Sequence, residues 1–171
     1  QEKSADALWP YVPTQSGQGD REGDSSKWTA KSEGLTKNGD RDPTLDFGFV
    51  PGKVSVGDRV WVDSNDNGIQ DKGEPGIKDV VLDLYDPDGK KIGSTTTDKN
   101  GNYVFTDLPV LKDGQSYVVK IDRKKSKKAL APYLPTVETD GNREKDSSTW
   151  EAPSEGLTRD GESDLTLDFG F

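Results

Sequence analysis

The sequence predicts an all-β fold, a sandwich of short strands, on three observations. Apolar and polar residues alternate with a period of two in several runs. Turn-forming residues separate those runs at intervals of about ten residues, the spacing of a β-sandwich. No stretch carries the 3.6-residue apolar period of an amphipathic helix.

The expected strands lie at 54–62 (VSVGDRVWV), 79–86 (DVVLDLYD), 90–97 (KKIGSTTT), 102–107 (NYVFTD), 116–122 (SYVVKID) and 164–171 (DLTLDFGF). Val80, Leu82 and Leu84 share one face of the second, and Tyr117, Val119 and Ile121 share one face of the fifth. In the last, Leu165, Leu167, Phe169 and Phe171 fall on one face, with Thr166, Asp168 and Gly170 on the other. Asp86-Pro87-Asp88-Gly89 precedes Lys90, and Lys99-Asn100-Gly101 precedes Tyr103. Asn and Gly accept the positive φ that tight hairpins require.

Composition narrows the function. Apolar residues make up only 29% of the 171, so any core is thin. Acidic residues outnumber basic ones, 32 to 23, and the net charge of -9 repels nucleic acid and anionic headgroups. Neither a nucleic-acid partner nor membrane insertion is therefore expected, and divalent cations are the natural partners of such a surface. The chain has no cysteine, histidine or methionine, which excludes thiol and Ser-His nucleophiles and imidazole metal ligands. With no disulfide available, a bound metal is the standard means of stiffening so small a core. No apolar run approaches the ~20 residues of a membrane span, and Gln1 does not open a signal peptide, so export signals are expected outside this segment.

An internal repeat sets the domain organisation. Trp28 in DSSKW and Trp150 in DSSTW stand 122 residues apart, and that offset aligns 1–49 with 123–171 without a gap, about 29 of the 49 positions being identical. PYVPT at 10–14 returns as PYLPT at 132–136, SEGLT at 32–36 returns at 154–158, and TLDFGF at 44–49 returns at 166–171. A period one domain long describes an array of beads. Residues 1–50 are expected to be the C-terminal part of a preceding, incomplete copy, and 53–171 one complete unit, with Val50-Pro51-Gly52 as a short junction.

The strongest chemical signal follows the first strand. Residues 63–74 read Asp-Ser-Asn-Asp-Asn-Gly-Ile-Gln-Asp-Lys-Gly-Glu. Matched to the twelve-position calcium loop, Asp63, Asn65, Asn67 and Asp71 supply side-chain oxygen at positions 1, 3, 5 and 9. Gly68 makes the sharp turn, Ile69 offers its carbonyl, and Glu74 closes the loop as a bidentate carboxylate. Asp, Asn and Gly are also ordinary turn residues, but a solvated loop does not account for seven positions in register. Because strands flank the loop, the ion is expected to be structural and not a switch. A weaker candidate is Asp140, Asn142, Glu144 and Asp146, echoed at Asp20, Glu22 and Asp24, where Arg143 and Lys145 offer simple surface pairing instead. Asp86 with Asp88, and Asp98 with Asn100, are turn formers first. Trp9, Trp28, Trp61 and Trp150 are expected to pack in the core or anchor loops.

Together these residues resemble a known family. The carriers are Val56-Gly-Asp-Arg-Val-Trp-Val-Asp63, Asn65-Asp-Asn-Gly-Ile-Gln-Asp71, Glu74-Pro-Gly-Ile77, Thr96-Thr-Asp98, Gly101-Asn-Tyr-Val-Phe105, Ser154-Glu-Gly-Leu157 and Leu165-Thr-Leu-Asp-Phe-Gly-Phe171. They are similar to the SdrD B-like repeats of the serine-aspartate repeat surface adhesins of Gram-positive bacteria, relatives of the collagen-adhesin B-type domain. The resemblance covers 55–171 as a whole copy and 1–49 as a partial one. It implies an immunoglobulin-like (collagen-adhesin B-type) β-sandwich, calcium held by the loop after the first strand, and a mechanical role between a ligand-binding head and a cell-wall anchor. Some relatives carry a lysine isopeptide cross-link. Here Arg59 occupies the place of that lysine and the last strand has no Asn, so none is expected, Lys53 with Asp168 being the pairing to examine.

The resulting expectation is a non-enzymatic, calcium-stabilised spacer repeat of an extracellular, wall-anchored adhesin. Its partners would be calcium ions, adjacent repeats of the same chain and host surface proteins. Two alternatives stand beside it: a module recognising host protein or carbohydrate, and a pilin-like subunit whose 43–49 strand occupies the place of 165–171 in another molecule. No convergent acid/base constellation marks an active site.

Overall fold

The computed structural model describes residues 8–15, 26, 28–137 and 147–171. The chain divides into two compact units, Gln1–Gly52 and Lys53–Phe171. In the first, β1 (Tyr11–Pro13) pairs antiparallel with β2 (Phe49–Pro51). Both segments interleave proline with apolar residues, a composition suited to short strands that need few ladder bonds. Trp28 packs on Phe49 with ring centroids 5.9 Å apart.

In the second unit the longest alternating run becomes the longest strand, β3 (Lys53–Trp61). After it come β4 (Val81–Tyr85), β5 (Lys91–Thr96), β6 (Asn102–Pro109), β7 (Val118–Ile121), β8 (Glu151–Pro153), β9 (Ser163–Asp164) and β10 (Phe169–Gly170). One sheet has the order β10-β3-β6, with β9 also on β3; the other runs β5-β4-β7-β8. Val56, Val60, Tyr103 and Phe169 from the first sheet and Leu82, Leu84, Val119 and Ala152 from the second belong to one buried apolar cluster. Burying each large side chain stabilises the unit by roughly 1.5–3 kcal/mol, the main favourable term for so thin an interior.

The hairpin between β4 and β5 turns at Gly89, and the turn between β5 and β6 at Gly101, both at positive φ. Asp86 and Asp98 act there as turn formers. Asp86 Oδ1 accepts from the Asp88 and Lys90 amides, and Asp98 Oδ1 from those of Asn100 and Asn102. Between β7 and β8 the chain makes helical-type turns, with Ser126 N–H donating to Asp122 O and Leu130 N–H to Ser126 O. Buried Ser126 accepts from Val81 N–H at 2.9 Å, fixing these turns beside β4.

The closing segment departs from its expected single strand. Both β9 and β10 run parallel to β3, with Asp164 opposite Val56 and Phe169 opposite Val60. The closing chain takes five steps where β3 takes four, so the alternation slips by one residue. Leu165 consequently faces solvent at 51% exposure while Asp168, expected outside, is fully buried with Leu167 and Phe169. Sequence periodicity also gave no sign of β8, which is only three residues long.

The tryptophans divide. Trp61 is fully buried, and Trp150 is partly buried against Phe171, ring centroids 5.4 Å apart. Trp9 and Trp28 remain exposed. The same contrast holds along the repeat. Leu157 and Phe169 are 2% and 0% exposed, but their equivalents Leu35 and Phe47 are 49% and 50% exposed. In the second unit β3 pairs beside Phe169 and Tyr103 of β6 packs on it; among the described residues of the first unit the strands are β1 and β2. Among the described residues no helix is long and apolar enough to cross a membrane.

Candidate metal centre

Residues 63–74 leave the end of β3 and return to it. Val62 N–H donates to Pro75 O at 2.8 Å, Ile77 N–H donates to Val60 O at 2.8 Å, and Trp61 bridges Gly76. Both stems of the loop are therefore fixed to the sheet. Arg59 adds a clamp, its guanidinium donating to the carbonyls of Glu74 at 2.8 Å and Asn100 at 3.0 Å. Inside the loop Asp66 and Gly68 take positive φ, 55° and 73°, and these two left-handed residues curl the chain back on itself.

The first and last donors are the buried ones. Asp63 and Glu74 are each 9% exposed. Asp63 Oδ2 accepts from Gly68 N–H at 2.7 Å and from the Thr136 hydroxyl, and Oδ1 accepts from Asn67 N–H at 3.3 Å. Burial pushes the Asp63 carboxyl up, but the hydrogen bonds from Thr136 and the loop amides outweigh it and hold the group below the usual carboxylate range. Glu74 accepts from Ser64 N–H at 2.8 Å and Asp71 N–H at 3.0 Å, spanning the loop. Asp71 Oδ2 receives the side-chain amides of Asn65 at 2.9 Å and Asn67 at 3.0 Å. Ile69 is exposed, and its N–H donates to Asn67 Oδ1.

Asn65, Asn67 and Asp71 thus meet at one point, while Asp63 and Glu74 hold the loop stems. Among the described residues no three acidic side chains gather closely enough to ligate an ion by themselves. The donor set is mixed, with two amides among three carboxylates, and every donor is oxygen. That chemistry suits a hard divalent cation, as does a Gly68 turn fixed by an Asp63 carboxylate. Asp140, Asn142, Glu144 and Asp146 lie outside the described residues.

Two supports of this site escaped sequence reasoning. Thr136 closes over Asp63 and also reaches Asp66 Oδ1 at 3.3 Å, and Ser147 donates its N–H to Gly68 O at 3.1 Å while its hydroxyl oxygen accepts from Gly170 N–H at 2.8 Å. Both recur in the internal repeat, as Thr14 and Ser25, so the repeat held the signal without revealing the role.

A second feature was not foreseen. Asp58 on β3 lies close to the buried carboxyl of Asp168, with Asp164 and Arg59 nearby. Burial raises the Asp58 carboxyl above its ordinary value; Asp168 and Arg59 partly offset this, and Asp164 adds to it. Tyr103 lies beside the pair, its hydroxyl donating to Leu167 O and pushed up in pKa by burial and by Asp168, Asp58 and Asp164. Lys53 does not reach Asp168; it pairs with Asp107 at 2.6 Å on the exposed side of the sheet.

The sign of the Asp58 effect follows from linkage. A carboxyl with a raised folded-state value binds its proton more tightly when folded, so its contribution favours folding at low pH and is lost as pH rises through that value. Asp58→Asn is therefore expected to raise Tm by a few degrees at pH 7 and to leave it nearly unchanged at pH 3.5. Thermal melts of both proteins across that range test it, and an equal offset at every pH would refute it.

Comparison with known proteins follows the same residues. The SdrD B-like domain family matches residues 54–171. The chain belongs to that family. Beyond the SdrD B-like domain itself, the chain is 42% identical over 163 residues, 94% of its length, to serine-aspartate repeat-containing protein E of Staphylococcus aureus strain MSSA476. It is equally similar to the bone sialoprotein-binding protein of strain MRSA252. It spans only 13% of the length of these relatives. Among solved structures, the TIE protein of Bacillus anthracis aligns with 74% of this chain and 18% of its own, at a TM-score of 0.37 and 16% identity.

Proposed function

We propose that this chain is a calcium-stiffened spacer repeat of a bacterial cell-surface adhesin, with no catalytic role. The observation that carries the reading is the loop at 63–74, whose two buried end carboxylates lock it to β3 while Asn65, Asn67 and Asp71 converge between them. Asp63, Asn65, Asn67, Asp71 and Glu74, with the Ile69 carbonyl, would hold the ion. When bound, calcium supplies the charge that lets three carboxylates share one loop. Asp63 ties the loop start to Thr136, and Glu74 ties its end to Ser64. Membership of a family whose relatives are serine-aspartate repeat proteins supports the surface role, and one relative's name supports host-protein binding elsewhere in such a chain.

Calcium that binds only the folded state stabilises by mass action, by about 2.7 kcal/mol at a hundred times its dissociation constant. Thermal unfolding is expected to shift upward on titrating calcium and to return with a chelator. Indifference to both would overturn the reading.

Residues 1–50 are, on the same proposal, the closing part of a preceding repeat. The exposure of Leu35 and Phe47, against the burial of Leu157 and Phe169, supports it. The same exposure also favours a second reading, in which strands of another copy supply the cover; sedimentation of the titrated samples separates a monomer from such an assembly.

A further inference from the structure

The turns between β7 and β8 carry Arg123-Lys124-Lys125-Ser126-Lys127-Lys128, five positive charges in six residues of a chain whose net charge is -9. Arg123 stacks over the Trp150 ring, 4.2 Å from its centroid, but packing does not demand Lys124, Lys127 or Lys128. The internal repeat places Gln1-Glu2-Lys3-Ser4-Ala5-Asp6 at the equivalent positions. It keeps Lys125 as Lys3, Ser126 as Ser4, Leu130 as Leu8 and Tyr133 as Tyr11, while exchanging Arg123, Lys124, Lys127 and Lys128 for neutral or acidic residues. What is kept serves the fold: Ser126 bonds Val81, Leu130 enters the core and Lys125 pairs with Asp122 at 3.0 Å. What is exchanged is exposed.

Among the described residues Lys124, Lys127 and Lys128 have no carboxylate at ion-pair distance, although acidic residues are in excess. Of these, Lys128, preceded on the same turns by Lys124 and Lys127, lines a cavity of about 650 Å³ together with Lys78, Lys125, Ala129, Pro132 and Tyr133. Asp79 also borders it, 3.7 Å from Lys78. Its volume falls in the usual range for small-ligand sites, roughly 300–1,000 Å³, and its walls combine ammonium groups with an aromatic ring and apolar surface.

We infer that this basic face docks a sulfated polysaccharide. Short runs of lysine and arginine suit polyanions such as heparin or nucleic acid. The acidic remainder of the chain decides between them. Duplex DNA carries a charge about every 1.7 Å along a stiff axis, so its phosphates would run beyond this small patch onto acidic surface. A flexible saccharide confines its contact to a few rings. The apolar face of a ring fits against Tyr133, Ala129 and Pro132, and its sulfates meet Lys124, Lys127 and Lys128.

The test measures affinity of the full chain for a heparin oligosaccharide by calorimetry, with Tm recorded for each variant. Lys124→Glu/Lys127→Ala/Lys128→Asp, the residues of the first copy, is expected to lose about tenfold or more in affinity at unchanged Tm, because three counterion-releasing contacts are removed. Replacing the same three by arginine should preserve binding, as should Lys90→Ala/Lys99→Ala elsewhere on the surface. Undiminished binding by the acidic variant would overturn the inference. So would equal binding of desulfated heparin, or tighter binding of duplex DNA or polyglutamate.

Discussion

Asp63→Ala is expected to lower the stability of the Lys53–Phe171 unit by about 3 kcal/mol, roughly 10 °C in Tm, even without calcium. The carboxylate is 9% exposed and accepts from Gly68 N–H, Asn67 N–H and the Thr136 hydroxyl. Removing it leaves three donors without their acceptor at the edge of the core, and hydrogen bonds to a charged group are worth about 1.5–3 kcal/mol each. Part of that loss is recovered by water entering the loop. Added calcium should then stabilise the variant far less than the parent, because the first ligand is gone. Chemical denaturation with calcium and with chelator checks both parts. A variant as stable as the parent would show that Asp63 does not hold the loop, and a full calcium response would remove it from the proposed ligand set.

The second large effect is expected at Gly76. A Cβ built there would lie 1.7 Å from Asn100 O and 2.6 Å from Gly101 N, all backbone atoms of the turn joining β5 to β6. A Cβ at Gly101 would also clash, 2.1 Å from Val60 O. Neither backbone can yield by a side-chain rotation, so Gly76→Ala must push the return of the loop away from β3. The Ile77 to Val60 bond and the Arg59 clamp on Glu74 go with it. A loss of about 3–4 kcal/mol is expected, in the range of severe core overpacking, with weakened calcium affinity as Glu74 shifts. Denaturant titration and calcium titration of the variant measure the two effects; stability within about 1 kcal/mol of the parent would contradict the geometry.

Much of this was legible in the sequence, and the exceptions have physical causes. Alternation located β3 through β7, most clearly β6 and β7, where buried and more exposed residues alternate, and Asp86, Gly89, Asp98 and Gly101 marked the turns by their chemistry. The twelve-residue loop was legible because its donors are adjacent in sequence. Leu165 and Asp168 were misplaced because one extra residue opposite β3 inverts the alternation, and such a slip depends on pairing between strands about a hundred residues apart. The contact of Asp58 with Asp168, and the closure of Thr136 over Asp63, are likewise nonlocal. Trp28, expected to pack in a core or anchor a loop, packs on Phe49 but stays 48% exposed.

The parallel placement of β9 and β10 on β3 has a mechanical consequence. β3 opens the second unit at Lys53, and β10 lies just before its last residue, Phe171. A load drawn between these two ends pulls adjacent parallel strands past each other along their length. Their backbone bonds, Ser55 N–H to Glu162 O, Leu167 N–H to Gly57 O and Phe171 N–H to Trp61 O among them, are then strained side by side. Peeling them apart one at a time, as at the end of a hairpin, is not open to such a pull.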